Sequence, residues 1–287
     1  NQILRTPQLN NEVCSCNTLI TVSHATSRKG IPMPMIKSAV PAVQERKRIT
    51  VVIPVYNNEQ ILIPSYDRLA TFFSNHVNDF EILIVNDGST YNTKQILDNL
   101  AISDSRLRVV HLSRNHGQQI ALGAGLEKVM TEVAVTTDID LPVALNDLLE
   151  LVKKLEDGYS LVLGKRDKTP HQVYYRKWGS RVMNFLVQVL FSRQITDFGC
   201  SCGAVSTDLL QRLRKDDSPR WSLKLTLVLL ADKFCEITVH TAEQRASRSS
   251  YSLRKLIMLA LSIIVYRFFM PGHKNFVSKK GTDQILK

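Results

Sequence analysis

The chain has 287 residues, of which 44% are hydrophobic and 22% charged, and its formal net charge is +11. That is enough for one α/β domain with a sizeable core plus appendages. Its five cysteines, Cys14, Cys16, Cys200, Cys202 and Cys235, are odd in number and lack framework spacing, which excludes a disulfide scaffold and fits reduced thiols in the cytosol. The basicity belongs to the flanks: residues 1–48 hold seven Lys/Arg against Glu12 and Glu45, residues 245–287 hold nine against Asp283, and the stretch between holds 21 against 23. No aromatic-basic interleaving or reader motif occurs in that central stretch, so nucleic acid is not an expected partner.

In chain order, residues 1–47 show no sustained hydrophobic period and are rich in Asn, Ser, Thr, Pro and basic residues. They predict a disordered or loosely attached leader without a secretory apolar region. The chain opens on Asn1, and Met33 or Met35 would be a natural start. The β-branched run Ile49 to Val55 then predicts a strand leading into a loop with Pro54, Tyr56, Asn57 and Asn58. Phe80 to Val85 predicts a second strand, closed by Asn86-Asp87-Gly88-Ser89-Thr90, and Leu107 to Leu112 a third, followed by Arg114-Asn115-His116-Gly117-Gln118. Helical patterns between these runs, at about 60–75, 92–102, 118–130 and 143–156, argue for βαβ units and a mostly parallel sheet flanked by helices.

The fourth run, Val133 to Thr137, ends in Asp138-Ile139-Asp140. Ligands of open α/β sheets bind beyond the carboxyl ends of the strands. Mg²⁺ or Mn²⁺ takes one or two carboxylates while phosphate oxygens fill much of the remaining shell, so this acidic pair predicts a metal-diphosphate site. A dinucleotide fold is excluded, because no Gly-x-Gly-x-x-Gly follows the first strand. Further on, Arg176, Lys177 and Arg181 precede the amphipathic run Val182 to Val187, and guanidinium forks suit phosphate oxygens. Near the end, Arg254 and Lys255 adjoin an apolar run, Leu256 to Tyr266, followed by Arg267. Such a helix is about 16 Å long against a hydrocarbon core of about 30 Å. It cannot span, and predicts an interfacial helix on an anionic membrane surface through residues 253–270.

Val-Ile-Pro-Val-Tyr-Asn at 52–57, Val-Asn-Asp-Gly-Ser-Thr at 85–90 and Thr-Asp-Ile-Asp-Leu at 137–141 resemble the nucleotide-sugar-binding half of family 2 glycosyltransferases of the GT-A fold. Ile195 to Cys200, Val239 to Glu243 and Ser249 to Ser252 resemble the polyprenyl-phosphate sugar transferases, the undecaprenyl-phosphate 4-deoxy-4-formamido-L-arabinose transferases above all. The resemblance covers about residues 48–266. It implies a GT-A domain over 48–244, with residues 245–287 as a basic membrane-surface helix and tail. It also implies a nucleotide-sugar donor, a UDP-sugar favoured, held by Pro54, Tyr56, Asn57, Asn58, Asp87, Gln118 and Asp138, and Mg²⁺ or Mn²⁺ on Asp138 and Asp140.

The same resemblance implies catalytic roles for Asp140, Asp197, Arg176 and Arg181, and a polyprenyl-phosphate acceptor at the cytoplasmic membrane face, with a separate membrane subunit or a homo-oligomer as further partners. A lipid phosphate, with a second pKa near 6, needs no deprotonation. A glycan hydroxyl would need a general base, for which Asp197 is the candidate. The chain departs from its relatives at Pro142, Gly203, Gln244 and Ser250, each a lost polar or cationic donor, which leaves a third reading open: a nucleotide-sugar-binding or scaffold protein with weakened transfer.

Overall fold

The computed structural model describes residues 48–167, 184–191, 194–217 and 222–241, together with positions 261 and 264. The leader, the stretch with Arg176, Lys177 and Arg181, positions Gln244 and Ser250, and the rest of the basic C-terminal segment lie outside the described residues. In chain order the elements are β1 (Ile49–Val55), α1 (Glu59–His76), β2 (Phe80–Asn86), α2 (Tyr91–Ser103), β3 (Leu107–His111), α3 (Gln118–Glu127), β4 (Val133–Thr136), α4 (Leu145–Leu155), β5 (Leu161–Arg166), α5 (residues 184–191), β6 (Gly203–Ser206), α6 (Thr207–Lys215), α7 (Leu223–Leu230) and β7 (Phe234–Val239).

The strands form one sheet in the order β3-β2-β1-β4-β6-β5-β7. The expected parallel half is present: β1 lies parallel to both β2 and β4, and β2 parallel to β3. The far half is mixed, because β6 runs antiparallel to both β4 and β5, while β5 and β7 are parallel. The sheet is thus mostly parallel with one inserted reversed strand.

Both β1 and β2 are buried at all seven positions, the pattern of strands covered on two faces. Alternate residues divide between two cores. Val51, Ile53, Val55, Ile82 and Ile84 join Leu62, Leu69 and Phe73 of α1 and Leu148 and Leu151 of α4. Val52, Leu83 and Val85 join Ala121, Leu122 and Leu126 of α3, Leu209 and Leu213 of α6, and Val228 of α7. Each such fully buried aliphatic or aromatic side chain contributes roughly 1.5–3 kcal/mol relative to exposure. The polar residues inside the strands are paired: the Thr50 hydroxyl donates to Glu81 at 2.8 Å, and Arg108 donates to the same carboxylate at 3.1 Å.

Helix α3 sits close against the sheet through Gly125, where a Cβ would come within 2.5 Å of Val52 Cγ1 and 2.8 Å of Val85 Cγ2. It stops at Glu127 rather than at 130. In α6, Ser206 caps the start by accepting the Leu209 N–H, while Arg212, Arg214 and Lys215 occupy the last turn, where cations complement the helix dipole. Among the described residues no helix is long and apolar enough to cross a membrane.

Candidate active site

The carboxyl ends of β1, β2, β3 and β4 lie along one edge of the sheet, and the loops leaving them are tied together by hydrogen bonds. After β1, Asn57 adopts a left-handed conformation with φ of 50°, which asparagine tolerates better than most residues. Its N–H donates to Ser89 Oγ at 3.0 Å, and its Oδ1 accepts the Thr90 N–H at 2.9 Å. Asn58 Oδ1 accepts the Tyr56 N–H at 3.2 Å. Pro54 is buried within β1, whereas Tyr56 stands 48% exposed at its mouth. An exposed aromatic on a hydrogen-bonded loop is a surface on which a planar base can stack.

Asp87 is only 2% exposed. Its two carboxylate oxygens accept the His116 and Gly117 N–H groups, each at 2.8 Å, so this residue organises the loop that opens α3. Each oxygen keeps a second lone-pair direction for a further donor. The neighbouring Gly88 has φ of +64°, and a Cβ there would lie 2.2 Å from the Arg114 carbonyl carbon. Only glycine allows the two loops to approach this closely.

After β4 the backbone turns through Asp138 to Leu141, closed by the Leu141 N–H to the Asp138 carbonyl at 3.0 Å. Leu141 has φ of 45°, an unfavourable conformation for leucine that persists where surrounding structure holds it, commonly at functional sites. Here the side chain is 4% exposed and packed in the core. Asp138 Oδ1 accepts Gln118 Nε2–H at 2.5 Å and Oδ2 accepts the Ser201 hydroxyl at 2.6 Å. Ser201 is itself held, its carbonyl accepting Thr136 Oγ1–H at 2.7 Å. Asp138 and Asp140 are both partly exposed. A hard divalent cation fits these oxygen donors. Among the described residues no group of three or more His, Cys, Asp or Glu could cage an ion; Mg²⁺-type sites ordinarily take one or two carboxylates and draw on substrate phosphate oxygens.

Asp197 stands on the far half of the sheet. Arg166, at the end of β5, grips it with both prongs, Nε to Oδ2 at 2.8 Å and one terminal nitrogen to Oδ1 at 2.9 Å, and the Arg166 backbone N–H adds a third bond at 3.2 Å. Burial opposes ionisation of Asp197, but the Arg166 hydrogen bonds and charge outweigh it and hold the carboxyl below its usual range. The same pairing raises the Arg166 guanidinium against its own burial. Lys224, 8% exposed and the only charged residue of α7, donates to the carbonyls of Asp197 at 2.7 Å and Cys200 at 2.8 Å. Glu236 of β7 accepts the Thr196 N–H at 2.7 Å and the Asp197 N–H at 3.2 Å. Cys200 and Cys202 are buried free thiols. A hydrogen bond from Cys202, opposed by burial and assisted by Lys224, lowers the Cys200 thiol from its ordinary range.

The structure therefore gathers Pro54, Tyr56, Asn57, Asn58, Asp87, Gln118, Asp138 and Asp140 at one edge, with Asp197 on the loop that leads to Ser201. Arg176 and Arg181 fall outside the described residues. Sequence reasoning missed Arg166, Ser201, Lys224 and Glu236. Two of these left a signal: Arg166 is the second of two cations, after Lys165, that follow the apolar run Leu161 to Gly164, and Lys224 is a lone cation inside Leu-x-Leu-Thr-Leu-Val-Leu-Leu. Ser201 and Glu236 left none.

Residues 50–214 match the family model described as glycosyl transferase family 2. The undecaprenyl-phosphate 4-deoxy-4-formamido-L-arabinose transferase of Yersinia pestis is 31% identical over 219 residues, covering 76% of this chain and 67% of that protein, and its Yersinia pseudotuberculosis counterpart matches equally. Among solved structures, glucosyl-3-phosphoglycerate synthase from Mycobacterium tuberculosis in complex with Mn²⁺, uridine diphosphate and phosphoglyceric acid aligns with a TM-score of 0.58 at 18% identity, covering 77% of this chain and 78% of that one. A mannosyltransferase from Pyrobaculum calidifontis in complex with GDP-mannose and Mn²⁺ aligns with a TM-score of 0.50 at 16% identity, covering 82% and 74%. These two likenesses establish the GT-A fold.

Proposed function

Because the chain belongs to glycosyl transferase family 2, we propose that it moves a sugar from a nucleotide-sugar donor, a UDP-sugar in preference, to a polyprenyl phosphate of the undecaprenyl type in cell-envelope glycan or glycolipid synthesis. The acceptor assignment draws on the names of its Yersinia relatives. On the donor side, Tyr56 covers one face of the base and Asp87 accepts a ring N–H through its remaining lone pairs. Asn57, Asn58 and Pro54 shape the loop, and Gln118 sets the orientation of Asp138. Asp140, with Asp138 beside it, would hold Mg²⁺ or Mn²⁺, and that cation supplies Lewis-acid stabilisation of charge on the departing diphosphate.

One observation favours a phosphate acceptor over a hydroxyl. Asp197, the group on which a hydroxyl would depend for proton removal, has both oxygens engaged by Arg166 and a depressed basicity. A carboxylate in that state is a poor general base, whereas a phosphate monoester is already largely ionised near pH 7. Asp197 then serves to fix Arg166 and the 196–200 turn. Arg176 and Arg181 are assigned to the acceptor phosphate, and residues 253–270 to the membrane surface that presents it at the cytoplasmic face.

The test is transfer of labelled sugar from a panel of UDP- and GDP-sugars, with Mg²⁺ or Mn²⁺, to undecaprenyl phosphate in detergent or to free glycans. A lipid-phosphate product is expected. Product on hydroxyl acceptors alone would reinstate Asp197 as base, and no product from any donor would leave a binding protein.

A further inference from the structure

We infer that His111 is a positioning residue for the nucleotide-binding loop, acting through Asn86 and Ser89 as a neutral imidazole of fixed tautomer; this rests on the assignment of the base site to Tyr56 and Asp87. His111 ends the edge strand β3 and lies directly beside Asn86 in the β2–β3 register. No side chain of His111 reaches the candidate site, yet a continuous hydrogen-bonded path does.

The path fixes every donor and acceptor along it. The Ser89 backbone N–H can only donate, and it lies 3.0 Å from Asn86 Oδ1. The other end of the Asn86 amide is therefore NH₂, a donor, and it faces His111 Nδ1 at 2.9 Å. That nitrogen has to be the unprotonated acceptor. The second ring nitrogen, Nε2, lies 2.9 Å from Asp98 Oδ1 on α2 and carries the proton that this carboxylate accepts. Asn86 is 2% exposed, so an unmatched amide there would carry the cost of a buried, unsatisfied polar group.

Beyond Asn86 the path enters the loop itself. Ser89 Oγ accepts the Asn57 N–H at 3.0 Å, Asn57 Oδ1 accepts the Thr90 N–H at 2.9 Å, and the Asp87 N–H donates to the Val55 carbonyl at 2.8 Å. The order is thus Asp98, His111, Asn86, Ser89, Asn57, with Asp87 adjoining Asn86 and Tyr56 adjoining Asn57 in sequence. If Asn86 reverses to satisfy a donor at position 111, its NH₂ meets the Ser89 N–H and the loop loses the acceptor that anchors it.

Two measurements on the full chain decide the matter. Long-range ¹H–¹⁵N NMR of the histidine rings at neutral pH should show His111 protonated at Nε2 alone, and Asp98→Ala, a change at a half-exposed carboxylate, should leave that tautomer in place, because the Asn86 amide alone requires Nδ1 to accept. Calorimetric titration with UDP and with GDP, each with Mn²⁺, should show roughly tenfold weaker binding for His111→Phe, which preserves ring bulk but removes the acceptor. His111→Gln, whose side-chain carbonyl can accept from Asn86, should recover most of it. A ring protonated at Nδ1 in the unsubstituted protein overturns the inference. So does unchanged nucleotide binding in His111→Phe when Asp87→Asn abolishes it. If Asp87→Asn also leaves binding intact, the base-site assignment itself fails, and the functional part of the inference with it.

Discussion

Replacing Asp197 by Asn separates a structural role from a chemical one. Asn keeps the shape but presents an NH₂ to one prong of Arg166 and removes the charge that compensates the guanidinium. The Asp197 side chain is 14% exposed and that of Arg166 21%, so the pair is largely, not wholly, dehydrated. Removing one partner of a buried pair costs about 3–5 kcal/mol, and the residual solvent contact puts this case near the lower end, about 3 kcal/mol. For a domain of roughly 200 residues, 1 kcal/mol moves Tm by about 2–4 °C, so the variant should melt about 6–12 °C lower. The folded-state pKa of Asp197 is depressed, so its contribution is complete above the unfolded value of about 3.9 and is lost as pH falls through the lower folded one. The difference in Tm should therefore stay flat from about pH 5 to 8 and narrow only below about pH 4. Scanning calorimetry across that range, with donor titrations alongside, measures both. A variant that melts with the wild type, binds donor normally and has lost turnover would refute this reasoning and make Asp197 the base.

Four further outcomes are expected. Asp140→Asn should lower turnover by at least about 100-fold with Tm unchanged, and chelation should silence the unsubstituted enzyme in the same way, since a Lewis acid contributes several kcal/mol to such a reaction; radiolabel transfer with EDTA and Mn²⁺ add-back reads this. Gln118→Ala and Ser201→Ala each remove one charge-assisted hydrogen bond from Asp138, worth about 1.5–3 kcal/mol, and should weaken Mn²⁺ binding in the presence of UDP by roughly tenfold or more, measured by electron paramagnetic resonance. Gly88→Ala forces a Cβ against the Arg114 backbone at positive φ and should cost about 2–4 kcal/mol in urea denaturation. A chain ending at residue 252 should sediment with anionic vesicles much less than the full chain, and equal sedimentation would remove the membrane role of residues 253–270.

The amino-acid sequence by itself determined the first four strands, the helices between them and the polar residues at the strand ends. Those features are local: β-branched runs of five to seven residues, turn residues after them and a 3.6-residue period between them depend on neighbours within a few positions. The placement of Tyr56, Asp87, Gln118, Asp138 and Asp140 at one sheet edge followed, because parallel strands send their carboxyl ends the same way. The second half resisted such reading. There β6 pairs antiparallel with β4 some seventy residues earlier, a choice that depends on which edge stays open once the first four strands have assembled. Only the folded sheet could bring Ser201 to Asp138 across 63 positions and Arg166 to Asp197 across 31. Composition marks a residue as able to donate or accept, but the partner that satisfies it, and so its protonation and its role, is set by strand order and burial, which belong to the tertiary structure alone.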